Sequence, residues 1–466
     1  MNIVHSWESD TFVADTISSV ANDLHATLNS NMTRKQDESY TLEVKPETNC
    51  FFTKRSFAYF FTITKHISCL FQESNHIPGE TKFSYKDAVA QAATEYTKKF
   101  EDRPHCINNQ KYFPQTWILS DPEQCKTFFK NLLSPEYQRL KKERKIVYIK
   151  KIPETHRGEG VHPLNKEEEL KVKKEYKNGA LCGQIPENTI MQHYIHNSLL
   201  LHGHKFDFRM YLVIASVNPL IAYYHDGFLR VSLAEYDAAS NDKKVLLTNL
   251  ALSKQIHDDA IKGNLFEGKD LESLRMAQQW SFDRLQTYLL TVGVINDPNW
   301  LDNYLRPEFK KAMIHLVRLS SDNYSKHSSF YGFYGVDFML DTNLNLWFIE
   351  ANSGPAIDGY SQPMGKFISK MLLDHFEIVF GLLRSRAKRV ISYVNKLVEE
   401  GIAYEERDGE VVIADFEEKK KVFDRITMNY FEKEFELSEG NGFAKIIDEN
   451  EEGVNVYQGL VEYDCL

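Results

Sequence analysis

The chain has 466 residues, 42% of them hydrophobic and 13% aromatic, with a formal net charge of −10. This length and apolar content exclude a disordered chain and suffice for two or three domains with sizeable cores. The charge is uneven: Glu399 to Leu466 holds 20 acidic and 7 basic residues, so the acidity belongs to a C-terminal extension.

In chain order, residues 1–80 mix helical-period stretches with polar loops broken at Pro46, Pro78 and Gly79, which predicts a small N-terminal domain. The aromatic run Phe57 to Leu70 is interrupted by Thr62, Thr64, Lys65, His66 and Ser68 and falls short of a membrane span. With Glu8 and Asp10 close behind Met1, no cationic, apolar signal peptide is expected, and the reading is a soluble, cytoplasmic chain with no membrane partner. The pattern predicts a helix over Lys86 to Tyr96, a strand over Phe113 to Leu119 and a helix over Pro122 to Leu133. Basic residues at Arg139, Lys141, Lys142, Arg144, Lys145, Lys150 and Lys151 continue into no basic stripe with interleaved aromatics, so nucleic acid is not an expected partner. A short strand over Ile146 to Ile149, a loop over Pro153 to Gly160 and a charged helix over Lys166 to Tyr176 follow.

Met191 to Ile195 reads as a strand, and Phe206 to Ser216, Leu220 to Tyr224 and Phe228 to Ser232 as an antiparallel meander with turns at Asn218-Pro219 and Asp226-Gly227. Helices are expected over Leu271 to Leu290 and Pro307 to Leu319, a hairpin over Tyr334 to Glu350, two helices between Met364 and Glu400, and then an appendage. The six cysteines (Cys50, Cys69, Cys106, Cys125, Cys182 and Cys465) form no Cys-x-x-Cys pair and no zinc-like spacing, so thiols in a reducing compartment are expected.

Three segments carry chemistry. A hairpin turn centred on Asn343-Leu344 would place Asp337 opposite Glu350, about 5 Å apart at Cβ, with Asn352 on the same face. Facing carboxylates repel unless a cation lies between them, and an oxygen-only set suits Mg²⁺ together with nucleotide phosphates. In Lys205-Phe-Asp-Phe-Arg209, period two puts Lys205, Asp207 and Arg209 on one face and Phe206 and Phe208 on the other, and Arg230 can return to that charged face. In Lys150-Lys-Ile-Pro-Glu-Thr-His-Arg-Gly-Glu-Gly160, glycines 158 and 160 permit close approach to phosphates and a strand-end lysine supplies a charge.

In this order the three segments resemble the tubulin tyrosine ligase-like branch of the ATP-grasp enzymes. Further similarities are Asn75-His-Ile-Pro-Gly79 with Lys86-Asp87, Phe113-Pro-Gln-Thr-Trp-Ile-Leu119, Met191-Gln-His-Tyr-Ile195, Leu246-Leu-Thr-Asn249, and the run from Trp347 to Pro355 with its Glu350 and Asn352. The resemblance runs from about residue 75 to 385 and implies an α+β, ATP-grasp fold with nucleotide between two sheet-containing domains, plus the small N-terminal domain. It implies division at 1–80, 81–195, 196–400 and 401–466, the last being the acidic extension.

The implied activity joins glutamate, glycine or tyrosine to a carboxylate of tubulin or another protein acceptor through an acyl-phosphate, with ATP and Mg²⁺ as cofactors, a free amino acid as co-substrate and a cytoplasmic or cytoskeletal location. By the same resemblance Lys86, Lys151, Gln192, His193, Tyr194, Ile195, Lys205, Asp207, Thr248 and Asn249 would bind the nucleotide. Lys205, Arg209 and Arg230 would be catalytic, and Asp337, Glu350 and Asn352 would bind the metal. Leu246, Tyr85 and His204 depart from the His, Arg and Arg usual at those family positions. A ligase for a non-tubulin or small-molecule carboxylate, or a nucleotide-binding pseudoenzyme, is the alternative.

Overall fold

The structure is a computed structural model that describes residues 2–5, 27–29, 51–54, 73–106, 111–143, 145–153, 160–185, 189–240, 242–248, 271–326, 330–355, 361–399, 404–407, 410–413 and 436–465. Before residue 75 it describes four short parallel strands, β1 (Asn2–His5), β2 (Thr27–Asn29), β3 (Phe51–Lys54) and β4 (Glu73–Ser74), in the order β2-β1-β3-β4. Helix α1 (Lys86–Lys99) follows.

A four-stranded antiparallel sheet comes next, from β5 (Thr116–Ile118), β6 (Tyr148–Lys151), β7 (Val161–Pro163) and β8 (Ile190–His193), in the order β5-β8-β6-β7. Trp117, Tyr148 and Met191 turn one face onto Phe128, Phe129, Tyr137, Leu140, Val172 and Tyr176. These belong to α2 (Pro122–Asn131), α3 (Pro135–Lys142), α4 (Lys166–Glu175) and the residue after it. The helix starts are written locally: Asp121, Ser134 and Asn165 each accept backbone N–H groups of the first turn, and Pro122 and Pro135 occupy first helical positions. The opposite face, with Lys151 and Gln192, is turned toward the second sheet.

That sheet runs β12-β11-β10-β13-β14 and is built from β9 (Leu200–Leu201), β10 (His204–Val217), β11 (Leu220–Glu235), β12 (Gln279–Trp280), β13 (Gly332–Leu340) and β14 (Leu346–Asn352), with β9 beside β10. Strand period two divides its faces. Phe206, Phe208, Met210, Leu212 and Ile214 pack with Phe282, Leu285 and Leu289 of α6 (Phe282–Thr291) and Phe309, Met313 and Leu316 of α7 (Arg306–Arg318). On the other face Tyr211, Val213, Tyr223 and Phe333 pack under Ile368, Met371, Leu372 and Phe376 of α8 (Gln362–Glu399), which leaves the Lys205 to Arg209 end of that face for polar groups.

Several elements differ from the sequence reading. Asp226-Gly227 is no turn: β11 runs through it, and the pairs Arg209↔Phe228 and Tyr211↔His225 show a bulge on β11 there. A Cβ at Gly227 would lie 1.5 Å from the Arg209 carbonyl oxygen, so the glycine serves close backbone approach. The expected helix over residues 271–290 is split into α5 (Leu271–Gln278) and α6, because Ser281 caps a new start and β12 pairs with β11 between them. One helix, α8, occupies the stretch expected to hold two.

Most consequentially, the stretch expected as an appendage enters the core. A hairpin of β15 (Tyr404–Arg407) and β16 (Glu410–Ile413) precedes β17 (Phe443–Asp448), which pairs antiparallel with Ile221 to His225 of β11. Ile446, Ile447, Val456 and Tyr457 are buried in the main core. The cysteines also depart from the free-thiol expectation: Cys106 is bonded to Cys465 and Cys125 to Cys182, pairings 359 and 57 residues apart that no local spacing could signal. Among the described residues no helix is long and apolar enough to cross a membrane.

Because Ile447 is fully buried opposite Ala222, Ile447→Ala is expected to cost about 2–5 kcal/mol, as for aliphatic truncation in a close-packed core. Urea unfolding measures it. A loss under about 1 kcal/mol would show that β17 is detachable from the sheet.

Candidate active site

The polar end of the large sheet is a buried ionic cluster. Strand register sets it: Asp207 lies opposite Arg230, while Arg209, Asp337 and Glu350 form one row across β10, β13 and β14. Exposures of 1% for Lys205, 4% for Asp207, 7% for Arg209, 6% for Arg230 and 2% for Asp337 mean that every charge must find a partner inside the protein. Arg209 grips Asp337 with Nε to Oδ1 at 2.6 Å and Nη2 to Oδ2 at 3.0 Å. Arg230 bridges the two aspartates, Nε to Asp207 Oδ1 at 2.5 Å and Nη2 to Asp337 Oδ2 at 2.7 Å. The Thr248 hydroxyl donates to Asp207 Oδ2. Burial pushes the Asp337 carboxyl up, but Arg209 and Arg230 outweigh it and hold the group below the usual range; burial raises Asp207, whose single guanidinium only partly offsets it.

The sequence expected a cation between Asp337 and Glu350. The structure places Arg209 and Arg230 against Asp337, so guanidinium groups already offset part of the carboxylate repulsion. The Asp337↔Glu350 pairing itself is as expected, reached by another route. Nearest the turn, Leu340 pairs with Leu346, and a register shift between Asp337 and Phe338 restores the pairing of the two acids. Gly335, opposite Asn352, makes room here: a Cβ would lie 3.0 Å from Arg209 Cδ and from Pro355 Cβ, a tight contact. Asn352 Nδ2 is buried with no hydrogen-bond partner.

Two buried lysines, Lys205 beside this cluster on β10 and Lys151 across from it on β6, form no ion pair among the described residues. Lys151 Nζ donates to Gln192 Oε1 at 2.6 Å, and Gln192 Nε2 donates to Thr116 Oγ1 at 3.0 Å. Lys205 Nζ donates to the Tyr194 hydroxyl at 2.8 Å and the Leu246 carbonyl at 3.3 Å, beneath the rings of Tyr194 and Tyr236 at 4.3 and 5.1 Å. Desolvation pulls Lys151 down to about 8, with Glu350 opposing and Lys86 reinforcing the shift, and pulls Lys205 down to about 7, with Asp207 opposing. Lys150 points the other way, to Glu168 at 3.1 Å.

The structure thus brings together Lys205, Asp207, Arg209, Arg230, Thr248, Asp337 and Glu350, with Lys151, Gln192 and Tyr194 facing them from the small sheet. Lys86, first residue of α1, reaches this group through its charge on Lys151. The His193 ring is directed elsewhere, 6.0 Å from Tyr148 and 6.2 Å from His196, because it follows Gln192 on the strand and takes the opposite face. Ile195 is buried beyond the strand end, its carbonyl accepting from Ser198. Asn249 and residues 154–159, including Gly158, lie outside the described residues. Thr116 and Tyr236 were missed by sequence reasoning; the Phe113-Pro-Gln-Thr segment was the one available signal for Thr116.

Removing Asp337 would leave both guanidinium groups short of charge. Asp337→Ala is expected to cost about 3–5 kcal/mol in urea unfolding, the scale for breaking a buried ion pair from one side. Glu350→Gln, which removes a like charge, is expected to be neutral or slightly stabilising. The reverse order would refute this assignment of partners.

Comparison with known proteins bears on the same region. The chain is 26% identical over 323 residues to a protein polyglycylase TTLL10 of Macaca fascicularis, covering 66% of this chain and 48% of that one. It is 25% identical over 329 residues to an inactive polyglycylase TTLL10 of Homo sapiens (67% and 45% covered), and 25% identical over 336 residues to a tubulin monoglutamylase TTLL4 of Homo sapiens (69% and 24% covered). The match spans less than half the length of these relatives. The model of the tubulin-tyrosine ligase family matches residues 62–387, which include the small sheet, the large sheet except β17, and every residue of the cluster, and the chain belongs to that family.

Proposed function

We propose that this chain is an ATP-dependent carboxylate–amine ligase that adds an amino acid, glutamate, glycine or tyrosine, to a carboxylate of tubulin or another protein. One observation carries the reading: Lys151 and Lys205, buried on two facing sheets, form no ion pair among the described residues, and the charges of Glu350 and Asp207 only partly offset their burial. Desolvated ammonium groups without an anion are costly, and a polyphosphate entering between the sheets would supply that charge. Relatives whose names specify glycylation or glutamylation of tubulin support the choice of reaction.

In this reading Lys151, Lys205 and Lys86 bind the ATP phosphates, and Gln192, Tyr194 and Ile195 with the neighbouring backbone line the base. Thr248 orients Asp207, which holds Arg230. The acceptor carboxylate attacks the γ-phosphate and expels ADP, and the amine of the incoming amino acid, having lost its proton to solvent, then displaces phosphate from the acyl-phosphate to form the amide. Phosphoryl transfer of this kind depends on positioning and charge neutralisation more than on a side-chain nucleophile. Arg209 and Arg230, fixed by Asp337 and Asp207, are preorganised fork-shaped donors for the oxygens that gain charge.

A divalent cation fits the residues present. Asp337 uses three of its roughly four acceptor positions and Glu350 has no hydrogen bond among the described residues, so carboxylate oxygens remain for a hard cation, with the Asn352 amide oxygen on the same strand as Glu350. Asp337, Glu350 and Asn352 would hold Mg²⁺, which supplies charge neutralisation on the phosphates when bound. A cytoplasmic location with cytoskeletal association goes with tubulin as acceptor.

The test is incorporation of labelled glutamate, glycine or tyrosine into tubulin and into a cell lysate with ATP and Mg²⁺. Glu350→Gln is expected to lower incorporation by about 10²-fold or more while the fold persists. Wild-type turnover by that variant would remove the metal assignment, and nucleotide binding without incorporation into any acceptor would favour a nucleotide-binding pseudoenzyme.

The lysines give a second test, with a definite sign. The Lys205 ammonium is depressed to about 7 in the free protein, so it is largely neutral at pH 8, and a bound polyanion favours its charged form. Nucleotide binding at pH 8 is therefore expected to take up about one proton, read by calorimetry in buffers of different ionisation heat, and to weaken as pH rises from 7 to 9. Proton release, or affinity that strengthens over that range, would contradict it.

A further inference from the structure

A second constellation lies on the far side of the large sheet, where the C-terminal end of the described chain meets the segment after α1. The side-chain donor atoms of His105, Cys106 and Cys465 all lie within 4.8 Å of one another. Asp464 adjoins the group, its Oδ2 3.0 Å from His105 Nε2 and its Oδ1 3.8 Å from Cys465 Sγ. The cysteines are buried, while His105 and Asp464 are about half exposed, with side-chain exposures of 48% and 58%. A cavity of about 200 Å³ lined by His105, Lys111, Arg318 and Cys465 provides a way in.

Next to the bonded sulfurs is a buried cation that forms no ion pair among the described residues and is only partly offset by the charge of Asp464. Arg318 is 6% exposed, its Nη2 donates to the Cys465 carbonyl, and its Nε and Nη1 have no hydrogen-bond partner. Its other neighbours are the rings of Tyr96 and Tyr457, at 5.8 and 5.2 Å. A disulfide is neutral and offers this guanidinium nothing. Two thiolates and a carboxylate around a divalent cation carry one surplus negative charge, which a buried guanidinium beside them would balance.

We infer that Cys106, Cys465, His105 and Asp464 form a zinc site when the Cys106–Cys465 bond is reduced. Two thiolates, an imidazole and a carboxylate are a tetrahedral zinc donor set, and cysteines brought together in a reducing compartment are more often metal ligands than a lasting crosslink. The chemistry balances. A dithiol reductant transfers two electrons, becoming a disulfide while Cys106 and Cys465 become thiols, and zinc then displaces their two protons to solvent. Both states fasten the same 359-residue separation, so the segment carrying β17 stays docked on β11 in either.

Cobalt titration of the full chain, reduced with a phosphine and stripped of metal, tests this. Reduced wild type is expected to bind one Co²⁺ per chain with a thiolate-to-cobalt charge-transfer band and intense tetrahedral d–d bands, which Zn²⁺ abolishes. The oxidised chain should show neither. His105→Ala, at an exposed position that leaves the fold intact, should weaken binding by about tenfold or more; Cys106→Ser with Cys465→Ser should remove the band, and Cys125→Ser with Cys182→Ser should keep it. No thiolate band in reduced wild type would show a structural disulfide only. A band that survives the Cys106/Cys465 substitutions, or unchanged affinity in His105→Ala, would also overturn the assignment.

Discussion

The buried pairing of Arg209 and Arg230 with Asp207 and Asp337 is the constraint around which the candidate site is organised. Two cations and two anions removed from water are tolerable only if their geometry is held closely, and here four cross-strand positions on three strands hold it. The backbone is shaped to allow this. Gly227 lets β11 bulge against the Arg209 carbonyl, and Gly335 leaves space for the Arg209 side chain. The aromatic and aliphatic half of the same sheet face, sealed under α8, excludes water from one side of the cluster.

Lys151 and Lys205 make the opposite demand. Among the described residues each hydrogen-bonds to neutral groups alone, Gln192, Tyr194 and the Leu246 carbonyl, so the charged pairs are internally compensated while the lysines are only partly offset by Glu350 and Asp207. That asymmetry gives the cleft its preference for an anion: the arginines are positioned in advance and the lysines await charge. Lys205 also spans the gap between the sheets through its bond to Tyr194, and this couples the spacing of the two sheets to whatever binds between them.

Much of this was legible in the sequence because strand alternation is a strong code. Lys205, Asp207 and Arg209 fall on one face by period two, and Asp337 opposes Glu350 although the turn and a register shift were not foreseen. Asp226-Gly227 misled because the same dipeptide serves a hairpin turn and a bulge, and only the third dimension decides between them. The C-terminal strand was hidden by its surroundings: Phe443, Ile446 and Ile447 sit in a stretch whose acidity suggested an appendage, yet their burial against β11 outweighs that net charge. Neither disulfide was foreseen, since pairing over such sequence separations is a property of the fold. His193 shares a motif with Gln192 and Tyr194, but as their neighbour on a strand its ring faces the small sheet's own core.

A polyphosphate bound between Lys151 and Lys205 is what would turn this cleft into a nucleotide site. The decisive measurement is a crystal structure of the full chain with a non-hydrolysable ATP analogue and Mg²⁺. The account expects phosphate oxygens within hydrogen-bond distance of both Nζ atoms, with the Arg209–Asp337 and Arg230–Asp207 pairs kept. Nucleotide bound elsewhere, with Lys151 still on Gln192 and Lys205 still on Tyr194, would contradict it.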